Sequence, residues 1–339
     1  MVTTHPRHAS RGRLAARTLT AVALAATTAL AACGSDSSSD SSSSSGSSSS
    51  SSSNATLIKK DAANSGKTIT LGSKNFTEQL VLGEVYAQAL EAAGYTVKRQ
   101  FNLGDENAAL KSVKEKQIDA YPEYTGTILG SFFKVASNAI PKDPTQAYDE
   151  GKEKLAAEGI TALPPTPFTS SNEVGVTQAT AKKYNLTNIS DLSKVASQLT
   201  IYGSPECRSR LDCLKGLQDV YGLKFKKFVP VDISLRHTVL ENGKADVSIV
   251  FTTDPQNTRD NVVLLKDDKG MFPPYNSTLL VRTDAITADG PDFAKTIAAV
   301  NTNLNAKVVQ ELNAKVDLDK QTPAAAATSY LQDFGYVAK

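Results

Sequence analysis

The chain has 339 residues, a formal net charge of +2, 40% hydrophobic and 21% charged residues, three cysteines and no tryptophan. So balanced a charge leaves no electrostatic footprint for nucleic acid. The length allows a two-lobed folded region, and the few cysteines and histidines leave little from which to build a metal centre.

Arg7, Arg11, Arg13 and Arg17 give a basic start without an acidic residue, and the apolar run LTAVALAATTALAA (19–32) follows. This run has the length of a signal-peptide core and is too short for a stable membrane span. It ends in LAAC (30–33), which resembles the lipobox of bacterial lipoproteins. That resemblance implies cleavage after a signal peptide of residues 1–32 and a lipid on Cys33. Loss of the four leader arginines takes the net charge from +2 to −2. From Ser35 to Ser53 the chain is serine broken only by Asp36, Asp40 and Gly46, so 33–66 reads as a flexible tether with nothing to bury. The expected location is the extracytoplasmic face of the cell membrane, with the lipid as sole anchor. Of the remaining cysteines, Cys207 and Cys213 in ECRSRLDC form a pair suited to a disulfide outside the cytoplasm.

The folded part begins near Lys67. TITLGS (68–73) predicts a strand ending in a Gly-Ser turn, and FTEQLVLGEVYAQALEAAGY (76–95) a helix capped by Thr77 and stopped by Gly94. YTVKRQFNL (95–103) predicts a strand, 105–116 a helix, and IDAYPEY (118–124) a third strand. This alternation predicts an α/β lobe with a mostly parallel sheet. LTIYGSPECRSR (199–210) repeats the strand, Gly-Ser and helix plan, and NGKADVSIVFTTD (242–254) repeats the third strand. Asp119, Tyr124 and Thr125 thereby match Asp246, Phe251 and Thr252 in spacing. Two similar lobes are expected, with ligand groups on the turns beyond the carboxyl ends of the strands. The turn-rich stretches PPTPFTSS (164–171) and TTDPQ (252–256) are expected to carry the chain between lobes, a double hinge able to close on a small molecule. The expected division is 67–167 for the first lobe, 168–253 for the second, and 254–339 completing the first.

GSKNFTEQ, YPEYTGT, the R-x-D at Arg210, TTD and FPPYNSTLLVR resemble the substrate-binding proteins of ABC importers for glycine betaine, choline, carnitine and related quaternary amines. The resemblance runs from residue 68 to the C-terminus. It implies a type II-like periplasmic-binding-protein fold whose site is an aromatic cage beside a carboxylate clamp. It assigns Lys74, Tyr124, Thr127, Arg210 and Tyr275 to that site by motif position. Two positions depart from the pattern. Phe251 stands where a tyrosine is common, and Asn172 where an aromatic is expected, leaving three aromatic faces.

The chemistry suits the ligand class. A quaternary ammonium has no N–H to donate, so its diffuse charge is best met by aromatic faces. Arg210 and Lys74, on opposite lobes, would hold a ligand carboxylate with the Thr127 hydroxyl. The implied partners are a quaternary-ammonium solute, an ABC permease and its ATPase, with the receptor a monomer. Alternatives are a larger trimethylated zwitterion such as ergothioneine, or a sensor that reports the same solute to another receptor. No cofactor and no enzymatic activity are expected: G-x-S-x-G and H-E-x-x-H are absent, and His237 is the one histidine after the leader. Tyr121, Tyr202, Tyr221 and His237 read as structural.

Overall fold

The computed structural model describes residues 57–339; the signal segment, Cys33 and the serine tract lie outside the described residues. Residues 57–66, expected within the tether, have defined contacts. Ile58 donates its amide to the Tyr336 carbonyl and packs on the first core, while the buried Asn64 side chain donates to the Ala93 carbonyl. With the Asp61 amide, which also donates to Ala93, these contacts hold the segment against the end of the first helix and the C-terminal residues.

Strand β1 (Thr68–Gly72) leads to α1 (Thr77–Ala92), then β2 (Thr96–Gln100), α2 (Glu106–Lys114) and β3 (Ala120–Tyr124). Thr77 is not the cap of α1. Phe76 occupies that position in extended conformation without a side-chain cap, and the Thr77 hydroxyl donates to Asp317 at 2.5 Å. After β4 (Ile160–Ala162) the chain crosses to a second sheet made of β5 (Asn172–Val176), β6 (Thr200–Gly203), β7 (Lys227–Pro230), β8 (Val247–Phe251) and β9 (Val263–Leu265). It returns as β10 (Ser277–Arg282).

The sheet orders are β2-β1-β3-β10-β4 and β7-β6-β8-β5-β9. In each, three strands pair in parallel and a fourth inserts antiparallel beside them. That fourth strand is the first one made after a crossing: β5 in the second sheet, β10 in the first. The expected mostly parallel sheets are thus mixed, because each lobe receives one strand from chain arriving out of the other. The second crossing is also displaced. β9 pairs with β5, with Val174 opposite Leu265, so the chain leaves the second sheet after Leu265 and not at 252–256. The expected lobe boundary at 253/254 moves accordingly. Turn-rich composition at Thr252–Gln256 marks a loop into the short helix Gln256–Arg259, and composition alone does not distinguish such a loop from a hinge.

The internal repeat has a structural basis. Asp119 accepts the Thr70 amide at 2.7 Å and Asp246 accepts the Thr200 amide at 2.8 Å, so each aspartate ties the start of a third strand to the lobe's first strand. The threonines are equivalent as well. Thr125 donates its hydroxyl to the Pro274 carbonyl and its amide to the Asn276 carbonyl. Thr252 accepts the Ser171 amide and donates its own amide to the Ser171 carbonyl. Each threonine therefore anchors the aromatic turn of one lobe to a crossing segment. The likeness ends after β6, where a 3₁₀ turn (Pro205–Arg208) replaces the expected helix and the Cys207–Cys213 disulfide closes the loop.

The first core lies between the β1 sheet and the C-terminal helices. Val81, Leu82, Val85, Tyr86 and Leu90 of α1 meet Phe293, Ile297, Val300, Leu312 and Tyr330. A separate core, including Val174, Ile201, Leu217, Val247 and Leu265, supports the second sheet. Tyr221 packs there, and Tyr202 packs beside Val239 and Leu240.

Asp119→Ala and Asp246→Ala each leave a strand amide without its acceptor and should each cost about 1–3 kcal/mol in chemical denaturation. Asp119→Ala should cost more, because Arg282, 2.5 Å from Asp119 Oδ1, also loses a partner. Equal costs would show that the Arg282 pair contributes nothing.

Candidate functional site

The turns beyond the strand ends converge on one cavity. The segment after β1 brings Lys74, Asn75 and Phe76, and that after β2 brings Asp105 and Glu106. β3 ends at Tyr124 and turns through Thr125–Thr127, placing Thr127 in the lining. From the second lobe come Arg210 after β6, Ile233 and Arg236 after β7, and Phe251 at the end of β8. The first crossing adds Ser170 and leads into Asn172 of β5; the second adds Tyr275. All seven positions expected from the sequence (Lys74, Tyr124, Thr127, Asn172, Arg210, Phe251 and Tyr275) line this one cavity.

A fourth ring joins the three expected aromatic faces. Phe76 stands 6.4 Å from Tyr124 and 5.3 Å from Phe251, centroid to centroid, and together with Tyr275 these rings form one cluster against Ile233. Its signal in the sequence is an apolar residue at a helix cap, where a polar one is favoured. Gly126 lets the cluster close. A Cβ there would lie 2.8 Å from Pro273, from the Pro274 carbonyl oxygen and from the Tyr275 ring, nearer than van der Waals contact permits.

Two tyrosines are aimed by carboxylates. The Tyr124 hydroxyl donates to Glu78 Oε1 at 2.6 Å, and Thr253 and Asn313 donate to the other Glu78 oxygen. Burial raises the Glu78 carboxyl above its ordinary range despite those donors. The Tyr275 hydroxyl donates to Asp212, which also accepts both Nε and Nη2 of Arg210 and the Asn172 amide. Burial, then the neighbouring carboxylates, push both phenols well above their usual range, so both remain neutral donors. Asn172 therefore holds Asp212, where the sequence pattern anticipated a ring. The Cys207–Cys213 disulfide closes the loop that carries Arg210 and Asp212.

The cations are differently engaged from the expected carboxylate clamp. Lys74 makes a buried ion pair with Glu123, and its ammonium lies 4.6 Å from the Tyr124 ring centroid. Arg210 reaches across to Glu106 of the first lobe at 2.9 Å, besides its fork on Asp212. Arg236, which the sequence reading missed, forks onto Asp254 and lies 4.6 Å over the Phe251 ring. Burial pushes the Asp254 carboxyl up, but the charge and hydrogen bonds of Arg236, with help from His237, bring it down to about 2. His237 is buried, donates or accepts at Asp254 through Nε2, and does not line the cavity. Tyr121 is buried behind it, its hydroxyl on Glu123.

Two sheet-based lobes joined by two crossings, with a ring-lined cavity built from the turns of both, define a solute-binding protein. The family model described as the substrate-binding domain of ABC-type glycine betaine transport systems matches residues 67–333. A glycine-betaine-binding protein of Pseudomonas aeruginosa is 31% identical over 280 residues, 79% of this chain and 88% of the relative. A carnitine transport binding protein of Listeria monocytogenes is 30% identical over 276 residues, 80% of this chain and 89% of the relative. The fold matches the crystal structure of a glycine betaine/carnitine/choline ABC transporter with a TM-score of 0.64 at 24% identity, covering 79% of this chain and 99% of that one. The chain belongs to this family of ABC-transporter substrate-binding proteins. It is therefore an extracytoplasmic solute-binding protein that works with a permease, and not an enzyme. Among the described residues no helix is long and apolar enough to cross a membrane.

Because the folded-state pKa of Asp254 lies below its ordinary value, the stability it contributes is fully present above about pH 4 and is lost as pH falls towards about 2. The stability difference between the parent and Asp254→Asn should therefore shrink over that interval in acid denaturation. A difference that stays constant would show that the Arg236 pair does not govern this carboxyl.

Proposed function

We propose that the cavity binds glycine betaine or a related quaternary ammonium solute, such as choline, carnitine or proline betaine, for delivery to an ABC permease and its ATPase. The observation that carries this reading is the convergence of Phe76, Tyr124, Phe251 and Tyr275 on one cavity, with protein cations already 4.6 Å from two of the ring centroids. Ring faces that hold an ammonium and a guanidinium have the electrostatics a trimethylammonium group needs. Each desolvated face is worth about 2 kcal/mol, and micromolar binding needs about 8 kcal/mol net, so several faces must act together. The names of the Pseudomonas and Listeria relatives agree with this ligand class.

The receptor acts as a monomer held at the membrane by a lipid on Cys33, with the serine tract as its tether. The LAAC sequence at 30–33 supports the lipid anchor, and the serine run that follows it supports the tether.

Phe76→Ala, Tyr124→Ala and Tyr275→Ala should each weaken binding of glycine betaine or choline by about 1–3 kcal/mol in calorimetry, through loss of a buried ring face. The cage reading fails if all three bind as the parent does.

Expressed in its host, the parent should partition into the detergent phase of a Triton X-114 extraction, and Cys33→Ser should move to the aqueous phase. Equal partitioning would rule out the lipid anchor.

A further inference from the structure

We propose that the cavity prefers ligands of net positive charge, quaternary ammonium ions bearing a hydroxyl or no second polar group, over their zwitterionic carboxylate analogues. This rests on the quaternary-ammonium reading above and specifies which members of that class are taken.

The argument is one of charge pairing. The lining holds three cations, and each is ion-paired within the protein: Lys74 with Glu123, Arg210 with Glu106 and Asp212, and Arg236 with Asp254. Arg210 has the chemistry to receive a ligand carboxylate, yet its Nε, Nη1 and Nη2 all donate to protein carboxylates. Asp212 is fixed by Tyr275 and Asn172 as well, so it does not swing aside alone. These bonds commit three of the five guanidinium N–H groups, and a ligand carboxylate at the Nη1 edge competes with Glu106, a buried group that would lack its cation if displaced.

Carboxylates outnumber the cations. Glu106, Glu123, Asp212 and Asp254 are the paired ones, and Glu78 lies directly behind Tyr124. Asp105 and Glu206 add two more in the lining itself. Asp105 uses one oxygen to cap α2, while Glu206 follows Pro205 in the 3₁₀ turn and makes no ion pair among the described residues. If Glu78, whose carboxyl burial raises, is counted as neutral, the remaining six still exceed the three cations. A cleft with low-dielectric walls and an excess of one sign concentrates the opposite charge. A choline-type cation gains from that field with its whole charge. A betaine also brings a carboxylate into it.

The test is calorimetric titration of the purified protein with tetramethylammonium, choline, carnitine and glycine betaine. Choline should bind at least about tenfold more tightly than glycine betaine. Glu106→Gln should narrow that ratio by about threefold or more, because Arg210 becomes available to a ligand carboxylate. Should Glu106→Gln not fold, the half-buried Glu206→Gln should weaken choline and leave glycine betaine unchanged or improved. Added salt should slow the association of choline and leave that of betaine nearly constant. Glycine betaine binding as tightly as choline, or tighter, overturns the preference and leaves the cage reading standing. Failure of every quaternary amine to bind overturns the cage reading, and this inference with it.

Discussion

A buried carboxylate behind a phenol is the constraint on which this site depends. Tyr124 and Tyr275 are turned into the cavity because their hydroxyls donate to Glu78 and Asp212. Those carboxylates tolerate burial only because further donors meet them: Thr253 and Asn313 at Glu78, Arg210 and Asn172 at Asp212. The arrangement has two consequences. Each ring is fixed before a ligand arrives, so little rotamer freedom remains to be lost on binding. A phenol that donates to a carboxylate is also richer in electrons over its face, which strengthens its attraction for a cation.

Buried carboxylates also join the lobes. Glu78 belongs to α1 of the first lobe and accepts from Thr253, which follows the last parallel strand of the second. Glu106 of α2 meets Arg210 of the second lobe at 2.9 Å. Residues that shape the cavity are thus the ones that tie its two walls together, and ring placement and lobe placement cannot vary independently. The repeat extends this economy to the backbone: Thr125 and Thr252 fasten each aromatic turn to a crossing segment.

How much of this was legible follows from what is local. The first three strands and two helices of the first lobe have strong periodicity and clear turn residues, and they form close to their expected bounds. The Asp119 and Asp246 spacings were legible too, since each aspartate acts on a neighbouring strand of its own lobe. The antiparallel strands were not, because pairing of β10 with β3 joins segments about 150 residues apart and leaves no local trace. Phe76 carries a readable signal, an apolar residue at a cap. Glu106, Asp212 and Arg236 look like ordinary surface charges in the sequence; only the fold reveals that each has a buried partner of opposite sign. Motif likeness supplied the members of the site, and it could not say that Lys74 and Arg210 are already neutralised.

That neutralisation bears on how ligand binding is signalled. A ligand shifts a conformational equilibrium only by as much as it binds one state better than the other. Contacts already present without it, such as Arg210 with Glu106 and Thr253 with Glu78, hold the lobes together but do not report its arrival. The contacts that can report it belong to ring faces supplied from both sides, Phe76 and Tyr124 from the first lobe and Phe251 from the second. A cation bridging those faces adds an interaction that exists in full only when the lobes are apposed, since separating them by a few ångströms removes one wall from the charge. Steering by the carboxylates in and behind the lining and closure by the rings are therefore separate tasks assigned to separate residues.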